Sequence, residues 1–166
     1  DCTAGGGGHS QAILEAIAED GRLVGIDLDE EAISFARHRL QRFGDRVMLR
    51  QGNFRDIGRI LSELGITRVN GILLDLGLSS HQLNSDHRGF SYQRACTLDM
   101  RFDRTQPLTA EDIVNDSTRE QLIDIFMRYG EEKYSRPIAS TIVLERDKGR
   151  ITTYIIYFFK KVYKKR

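Results

Sequence analysis

The feature that most constrains this chain is a run of four glycines, Gly5–Gly8, immediately before a segment with helical periodicity. Backbone without Cβ atoms bends tightly and approaches ligands closely, and a helix N-terminus favours polar ligand groups. A helix is predicted over residues 10–20, and residues 23–27 read as a buried strand that ends in Asp27. Glycine loop, helix, strand and acid in this order are typical of nucleotide-binding α/β folds, where the acid binds ribose hydroxyls.

The spacing of the glycines separates the classes of nucleotide site. A dinucleotide fingerprint needs a third glycine where this chain has Ser10 or Gln11, depending on the register. A Walker loop needs Lys-Ser or Lys-Thr after the glycines, and neither follows. The remaining pattern, Asp-x-x-x-Gly-x-Gly-Gly, suits S-adenosylmethionine, which has ribose and adenine but no pyrophosphate. A glycine-rich turn without a ligand is the alternative interpretation.

Composition indicates a globular protein. The chain has 166 residues and 40% hydrophobic content, which is sufficient for a core. It has two cysteines, no secretory segment and no apolar run of about 18 residues, so we expect a soluble, cytoplasmic protein without disulfides or membrane contact. The last sixteen residues carry five basic side chains and no acidic one, and composition elsewhere predicts no broad nucleic-acid-binding face.

An α/β alternation continues after the first strand. Helices are predicted over residues 30–42 and 57–64, a strand over 47–51, and an apolar strand over 71–75 that ends in Asp75. The carboxyl ends of parallel strands meet at one edge of a sheet. Asp75 and the acid of the first strand are therefore expected to face one crevice.

The pattern changes after Ser80. A long stretch without clear periodicity is followed by short helices, one of them opened by a capping box of Ser117 and Glu120 and another predicted over residues 138–146. We therefore predict three regions along the chain. They are a partial Rossmann-like cofactor-binding core over residues 1–85, a helical insertion for substrate recognition over residues 86–150, and a divergent aromatic and basic tail over residues 151–166.

Seven motifs together resemble the RsmH (MraW) family and occur in that family's order: Asp1-x-Thr3-x-Gly5-x-Gly7-Gly8-His9-Ser10, Gly25-Ile26-Asp27, Gly52-Asn53-Phe54, the run from Gly71 to Leu83, Arg88-Gly89-Phe90-Ser91, Leu98-Asp99-Met100-Arg101 and Tyr129-Gly130-Glu131-Glu132. The family consists of S-adenosylmethionine-dependent methyltransferases that act on N4 of a P-site cytosine in 16S ribosomal RNA. The resemblance extends from Asp1 to about Thr153 and implies a class I, Rossmann-like methyltransferase core with a helical insertion.

The resemblance also implies the residues that contact the cofactor. These are Gly7, Gly8 and His9 at the methionine part, Asp27 at the ribose, Phe54 beside the adenine, and Asp75 and Gln82 closing the pocket. No metal is implied. Without the family, Phe54 reads equally well as a core phenylalanine, His9 as a helix-start residue and Gln82 as a loop amide.

Methyl transfer to a cytosine amine sets the demands on the catalytic residues. The protein must hold nitrogen, methyl and sulfur nearly collinear and supply acceptors for the amine protons. Asp75, with residues 76–80, is the candidate for that acceptor. Phe90 or Tyr92 is the candidate platform for the target base, and loop aromatics packed into the insertion are the alternative. Further RNA contacts in the small ribosomal subunit are expected from Arg88, Arg94, Arg101 and Arg104.

Some positions depart from the family's pattern. Cys2 and Ala4 stand where Gly and Phe are usual, and Pro137 replaces a basic helical residue, which a helix tolerates only in its first turn. The chain begins at the last residue of the family's first strand and lacks its C-terminal half, so we expect a truncated or frame-shifted member. A truncated, inactive remnant that retains nucleotide or RNA binding is therefore the second reading.

The absent first strand belongs between the strands that end in Asp27 and Asp75, and its loss leaves two unpaired edges. Residues 151–159 are β-prone and are either a replacement strand or an exposed, aggregation-prone tail. A short membrane anchor is a third interpretation, which the length of the segment disfavours. The resemblance also allows a homodimer.

Overall fold

The computed structural model describes residues 1–79, 82, 83, 85, 87–91 and 96–153. The chain divides into two compact units, which we call the glycine-loop unit (Asp1–His81 with Phe102–Arg104) and the helical unit (Gln82–Arg101 with Thr105–Arg166). Most of the predicted tail, including Tyr154 and everything after it, lies outside the described residues. Within the described ranges, no helix has the length and apolar character needed to cross a bilayer.

The glycine-loop unit alternates helices and strands. Its elements are α1 (Gly8–Ala16), β1 (Leu23–Asp27), α2 (Glu30–Leu40), β2 (Val47–Gln51) and α3 (Ile57–Glu63), with 3-10 turns at Gln41–Arg46 and Phe54–Asp56. The strands β1 and β2 pair in parallel, with Leu23 opposite Val47 and Asp27 opposite Gln51. Both strands have their predicted bounds, and the predicted mixed α/β character of this unit is confirmed by a small parallel sheet.

Local sequence explains where α2 begins and how it packs. The Asp29 carboxylate accepts a hydrogen bond of 3.0 Å from the Glu31 N–H, and two glutamates occupy the first turn, where they complement the helix dipole. The apolar face of α2 buries Ala36 and Leu40 against Leu14 of α1. These contacts place α1 and α2 together against the sheet.

A single arginine fastens the C-terminal end of α1. The Arg46 guanidinium donates hydrogen bonds to the carbonyl oxygens of Gly21 (2.9 Å), Leu14 (3.2 Å) and Ala18 (2.9 Å). Leu14 lies in the last turn of α1, where carbonyls have no intrahelical donors, and Ala18 and Gly21 lie in the turn that follows the helix. The connection between α2 and β2 therefore holds the far end of α1.

Residues 1–4 run between β1 and the segment 71–75. On one side the Asp1 carbonyl accepts from the Ile26 N–H (2.9 Å), and on the other the Cys2 N–H donates to the Leu73 carbonyl (2.9 Å). The structure assigns no strand at 71–75, so the predicted strand is wrong in this respect. A β-ladder needs several successive hydrogen-bonding partners, and the short segment of residues 1–4 provides few of them to residues 71–75.

The helical unit contains α4 (Ala110–Asp116), α5 (Arg119–Arg128) and α6 (Ser135–Arg146). They enclose a buried apolar cluster of Leu98, Leu122, Ile123, Ala139, Ile142 and Ile151. The side chain of Asn115 accepts from the Ile151 N–H (2.9 Å) and donates to its carbonyl (2.8 Å). An α4 side chain thus fixes the residues that follow α6.

The starts of α5 and α6 can be compared with the sequence predictions for the capping box and for Pro137. The predicted capping box of Ser117 and Glu120 is wrong by one residue, because Ser117 still bonds back to Ile113 at the end of α4 (3.2 Å). Thr118 and Gln121 form the box instead. Pro137 is the third residue of α6, within the first turn, where a missing N–H costs no intrahelical hydrogen bond.

Candidate functional site

The glycine loop is held by the acid at the end of β1. The Asp27 carboxylate accepts from the Gly5 N–H through Oδ2 (2.8 Å) and from the Asp29 N–H through Oδ1 (2.9 Å). Each carboxylate oxygen has two acceptor sites, so capacity for further donors remains. A Cβ placed on Gly6 would meet no atom within 4 Å. The loop therefore presents open backbone beside a carboxylate, which suits a ligand with hydroxyl groups.

Close packing explains why the loop requires glycine at position 7. Gly7 has a φ of 80°, in the left-handed region, and precedes the first residue of α1. A Cβ there would lie 3.2 Å from the Ala36 Cα and 3.4 Å from its Cβ. The loop backbone thus rests directly on α2.

A polar network links the loop to the segment that carries Asp75. The Asp1 carboxylate accepts from the Ser10 hydroxyl (2.7 Å) and from the Thr3 N–H (3.1 Å). The Thr3 hydroxyl in turn accepts from the Asp75 N–H (2.8 Å). Sequence reasoning assigned no role to Asp1, Thr3 or Ser10, although their polar character at a strand end and in a first helical turn was a usable signal.

His9 and Asp75 meet at the mouth of the loop. His9 Nδ1 lies 3.6 Å from Asp75 Oδ2, and the two side chains are 60% and 65% exposed. The Asp75 carboxylate is accessible, so its oxygens can accept hydrogen bonds from an amine. The exposed His9–Asp75 pair contributes little to the stability of the fold. The arrangement therefore suits contact with a ligand better than a structural role.

Phe54 lies at the same edge of the sheet as Asp27. The Gly52 N–H donates to the Asp27 carbonyl (2.8 Å), which joins the ends of β2 and β1, and Phe54 begins the next turn with 37% of its surface exposed. A partly exposed ring beside a carboxylate offers an apolar wall to a heterocycle. Within the described part of the chain, no three His, Cys, Asp or Glu side chains are grouped to hold a metal ion.

The remaining predicted site residues belong to the helical unit or its neighbourhood in sequence. Gln82 and Arg88 are 4% and 2% exposed. The Arg101 guanidinium is bonded to the Asp99 carboxylate (2.8 and 2.9 Å) and to the Gln106 carbonyl (2.6 Å). Burial favours a structural role for Arg88, and its RNA contact stays a prediction.

Phe90 is partly buried in the helical unit, and Arg104, which groups with the glycine-loop unit, is exposed. Tyr92 and Arg94 lie outside the described residues. The choice between Phe90 and Tyr92 as the platform for the target base therefore stays open.

Comparison with known proteins gives two findings. A family profile described as "MraW methylase family" matches residues 1–158. The chain is also 54% identical over 154 residues to a protein of Syntrophotalea carbinolica named "Ribosomal RNA small subunit methyltransferase H". That match covers 92% of this chain and 49% of the relative, so the chain spans about half of the relative's length.

Proposed function

Because this chain belongs to the MraW methylase family, we propose that its glycine-loop unit binds S-adenosylmethionine for methylation of small-subunit ribosomal RNA. The observation that carries the proposal is the loop itself. Its open backbone is fixed by the Asp27 carboxylate, and the exposed His9 and Asp75 side chains meet beside it. The implied fold is the class I, Rossmann-like methyltransferase core.

Each part of the cofactor has a counterpart among these residues. Asp27 accepts from the ribose hydroxyls with its remaining lone pairs, and the partly exposed Phe54 ring covers the adenine. The methionine part lies against Gly7, Gly8 and His9. The family resemblance adds Asp75 and Gln82 to the residues proposed to contact the cofactor.

The reaction transfers a methyl group from sulfonium to the N4 amine of a P-site cytosine in 16S ribosomal RNA. S-adenosylmethionine supplies the methyl group as an activated electrophile. Asp75 accepts hydrogen bonds from the amine, which localises the N4 lone pair, and it takes up the proton that N4 loses as the nitrogen–methyl bond forms and the sulfur–methyl bond breaks, with the neutral thioether as the leaving group. Thr3 positions Asp75 through the hydrogen bond to its N–H, since orientation of the acceptor contributes to the rate. An assembled small ribosomal subunit is the proposed partner, and a homodimer is proposed for the full-length members of the family.

The contact of the target base is assigned to Phe90 or Tyr92, and contacts to the RNA backbone to Arg88, Arg94, Arg101 and Arg104. Mass spectrometry of ribosomal RNA from a strain that lacks the gene tests the substrate. We expect loss of the N4 methyl group at the P-site cytosine. Full methylation there would refute the assignment.

A remnant that binds the cofactor without catalysis is the second candidate. The observation in its favour is the exposure of apolar side chains on the segment that carries Asp75, with Ile72 59%, Leu74 49% and Leu76 70% exposed. Large exposed apolar side chains in a row mark surfaces that another element normally covers. Such a segment holds Asp75 less rigidly than catalysis requires.

Two measurements on the 166-residue chain separate these candidates. Titration calorimetry with S-adenosylmethionine tests the cofactor site, and a radiolabelled-methyl assay on small ribosomal subunits tests catalysis. Binding with methyl transfer supports the enzyme, and binding without transfer supports the remnant. Absence of binding in a chain that unfolds cooperatively would overturn the cofactor proposal.

A further inference from the structure

The strand β2 forms one edge of the small sheet in the glycine-loop unit. It pairs with β1 on one side, and no other strand of the described residues pairs with it. Residues 47–50 of β2, with Arg37 and Leu40 of α2, line a cavity of about 300 Å³, which we call the edge cavity. Successive side chains of a strand point to opposite faces, so a cavity lined by four of them follows the edge of the strand. Since β1 occupies one edge, the cavity lies along the other, free edge.

The hydrogen bonds of β2 show which backbone groups face the free edge. In a parallel ladder, the N–H and C=O groups of alternate residues point to opposite sides of the strand. The Gly52 N–H donates to the Asp27 carbonyl of β1, so the even-numbered residues of β2 point to β1 and the odd-numbered residues to the free edge. The Val47 N–H there is bonded to the Gly44 carbonyl. Among the described residues, no acceptor is bonded to the Leu49 N–H, so this group can donate to a ligand.

The charge of the edge cavity is positive. Arg37 and Arg50 line it, and none of its described lining residues is acidic. In the described part of the chain, Arg37 forms no hydrogen bond or ion pair, and the Arg50 guanidinium donates to the Leu49 carbonyl (3.0 Å) without an acidic partner. By contrast, Arg42 of the turn after α2 is paired with Glu15. Two guanidinium groups at the edge cavity can therefore pair with the carboxylates of a ligand.

These two guanidinium groups belong to opposite faces of the sheet. Val47 and Leu49 pack against the apolar cluster of α1 and α2, so the side chains of Met48 and Arg50 lie on the other face. Arg37 belongs to α2 and therefore to the first face. A strand added beside β2 presents its successive side chains to the two faces in turn. Two adjacent acidic residues in such a strand would meet one arginine each.

We propose that the free edge of β2 binds an extended segment of a partner protein that carries two adjacent acidic residues. The segment adds to the sheet through the N–H and C=O groups of Leu49, and its carboxylates pair with Arg37 and Arg50. The Leu49 carbonyl has two lone pairs, so its bond with Arg50 leaves one for a peptide N–H. Strand addition at an exposed sheet edge is a general mode of peptide recognition. This interaction surface goes beyond the proposed methyltransferase function and does not depend on it.

The lining of the edge cavity favours an acidic peptide over the two other ligands that a basic strand edge attracts. Single-stranded RNA binds through aromatic stacking together with cations, and none of the described lining residues is aromatic. A second copy of this chain, paired through the same edge, would bring the arginines of both copies to one interface, where like charges repel. An acidic peptide supplies both the backbone partners and the negative charge.

Fluorescence anisotropy with a labelled, end-blocked hexapeptide Val-Thr-Glu-Glu-Thr-Val tests the charge contacts in the full chain. We expect the Kd to rise about three- to fivefold in Arg37→Ala and in Arg50→Ala, the usual range for loss of one exposed ion pair. Arg68→Ala is the matched control, since it removes the same charge from an exposed position of this unit outside the cavity. The same peptide with glutamines in place of the glutamates should bind the unchanged chain more weakly. Equal affinity of the two peptides, or an equal loss in Arg68→Ala, would overturn the proposal.

Amide hydrogen exchange measured by NMR tests the addition of a strand. The peptide should slow exchange of the Leu49 N–H, which faces the free edge. The Met48 and Arg50 N–H groups face β1, so their exchange should change little and serves as the internal control. Peptide binding that leaves exchange at Leu49 unchanged would refute strand addition.

The two other ligands give distinct results in the same measurements. An oligouridylate hexamer should not displace the peptide at equal concentration. Displacement at equal concentration, with RNA affinity lowered in Arg37→Ala and Arg50→Ala, would assign the edge to RNA and overturn the proposal. Slow exchange of the Leu49 N–H in the chain without peptide, lost on dilution, would assign the edge to a second copy and overturn it as well.

Discussion

The Thr3 hydroxyl accepts a 2.8 Å hydrogen bond from the N–H of Asp75, a residue 72 positions later in the chain. Thr3 also bonds to the Asp1 carboxylate, which holds Ser10 at the start of α1. One side chain thus connects the glycine loop to the acid that faces it. The Thr3 hydroxyl therefore sets the distance between the glycine loop and the Asp75 backbone.

Replacement of Thr3 by valine removes this hydroxyl without changing the shape of the side chain. We expect the free energy of unfolding to fall by about 1 kcal/mol, the usual net value of one hydrogen bond, and affinity for S-adenosylmethionine to fall as well. Denaturant unfolding and calorimetry measure the two effects. Thr3→Ser keeps the hydroxyl and serves as the control. A valine variant equal to the unchanged chain in both measurements would show that the bond does not position Asp75.

Replacement of Asp27 by alanine removes the acceptor for the Gly5 and Asp29 N–H groups and, by the proposal, for the ribose. Loss of a charged acceptor should weaken S-adenosylmethionine binding by about 1.5–3 kcal/mol. A cofactor analogue without the ribose 2′-hydroxyl separates the two roles. The unchanged chain should bind the analogue more weakly than the full cofactor. Asp27→Ala should bind the analogue no more weakly than the full cofactor. The ribose assignment fails if the analogue and the full cofactor bind the unchanged chain equally.

Alanine substitutions at two adjacent glycines should have very different effects. Gly7→Ala places a Cβ 3.2 Å from the Ala36 Cα at a φ of 80°, and we expect a loss of stability of about 1–3 kcal/mol. Gly6→Ala is the control, because its Cβ meets no atom within 4 Å. Thermal melts compare the two variants. Equal melting temperatures would contradict the close packing of the loop on α2.

Lowering the pH should destabilise the N-terminal turn of α4. The Thr109 hydroxyl and N–H both donate to the Asp112 carboxylate, and they hold the pKa of Asp112 below its ordinary value of 3.8, with a further contribution from Arg150. Because the folded pKa is lowered, this contribution is complete above the unfolded pKa and is lost as pH falls through the folded pKa. NMR titration of the carboxyl carbon should show a higher pKa in Thr109→Val than in Thr109→Ser. An unchanged pKa in the valine variant would exclude the hydroxyl as the main cause.

Sequence patterns predicted the parts of the fold that depend on local rules. The strands that became β1 and β2 are short segments that begin with apolar residues and are followed by turn residues, and their bounds match the structure. The segment 71–75 has the same pattern but forms no assigned strand, because pairing depends on its neighbour and not on its own residues. Both Ser117 and Thr118 have side chains that can cap a helix. Thr118 is the cap of α5 because the Ser117 N–H is still bonded to Ile113 at the end of α4.

Site residues that belong to a sequence motif could be predicted. Site residues whose positions depend on tertiary contacts could not. The glycine loop and Asp27 were identified from their spacing. The positions of Arg88 in the interior and of Arg101 against Asp99 were not foreseen, because arginine is usually exposed and a partner two residues away leaves no periodic pattern.

Arg46 gives the glycine loop a property that its own residues do not provide. Helix α1 is about 13 Å long, with the loop at one end, and at the other end the Arg46 guanidinium bonds to the Leu14 carbonyl and to two carbonyls of the turn that follows. Carbonyl oxygens have no net charge, so ionic strength weakens these bonds far less than it weakens attraction between arginine and phosphate. The geometry of the glycine loop is therefore expected to persist at ionic strengths that weaken contacts between arginine and phosphate. Concentrated salt thus offers a condition in which the proposed binding of S-adenosylmethionine can be measured without electrostatic attraction of RNA.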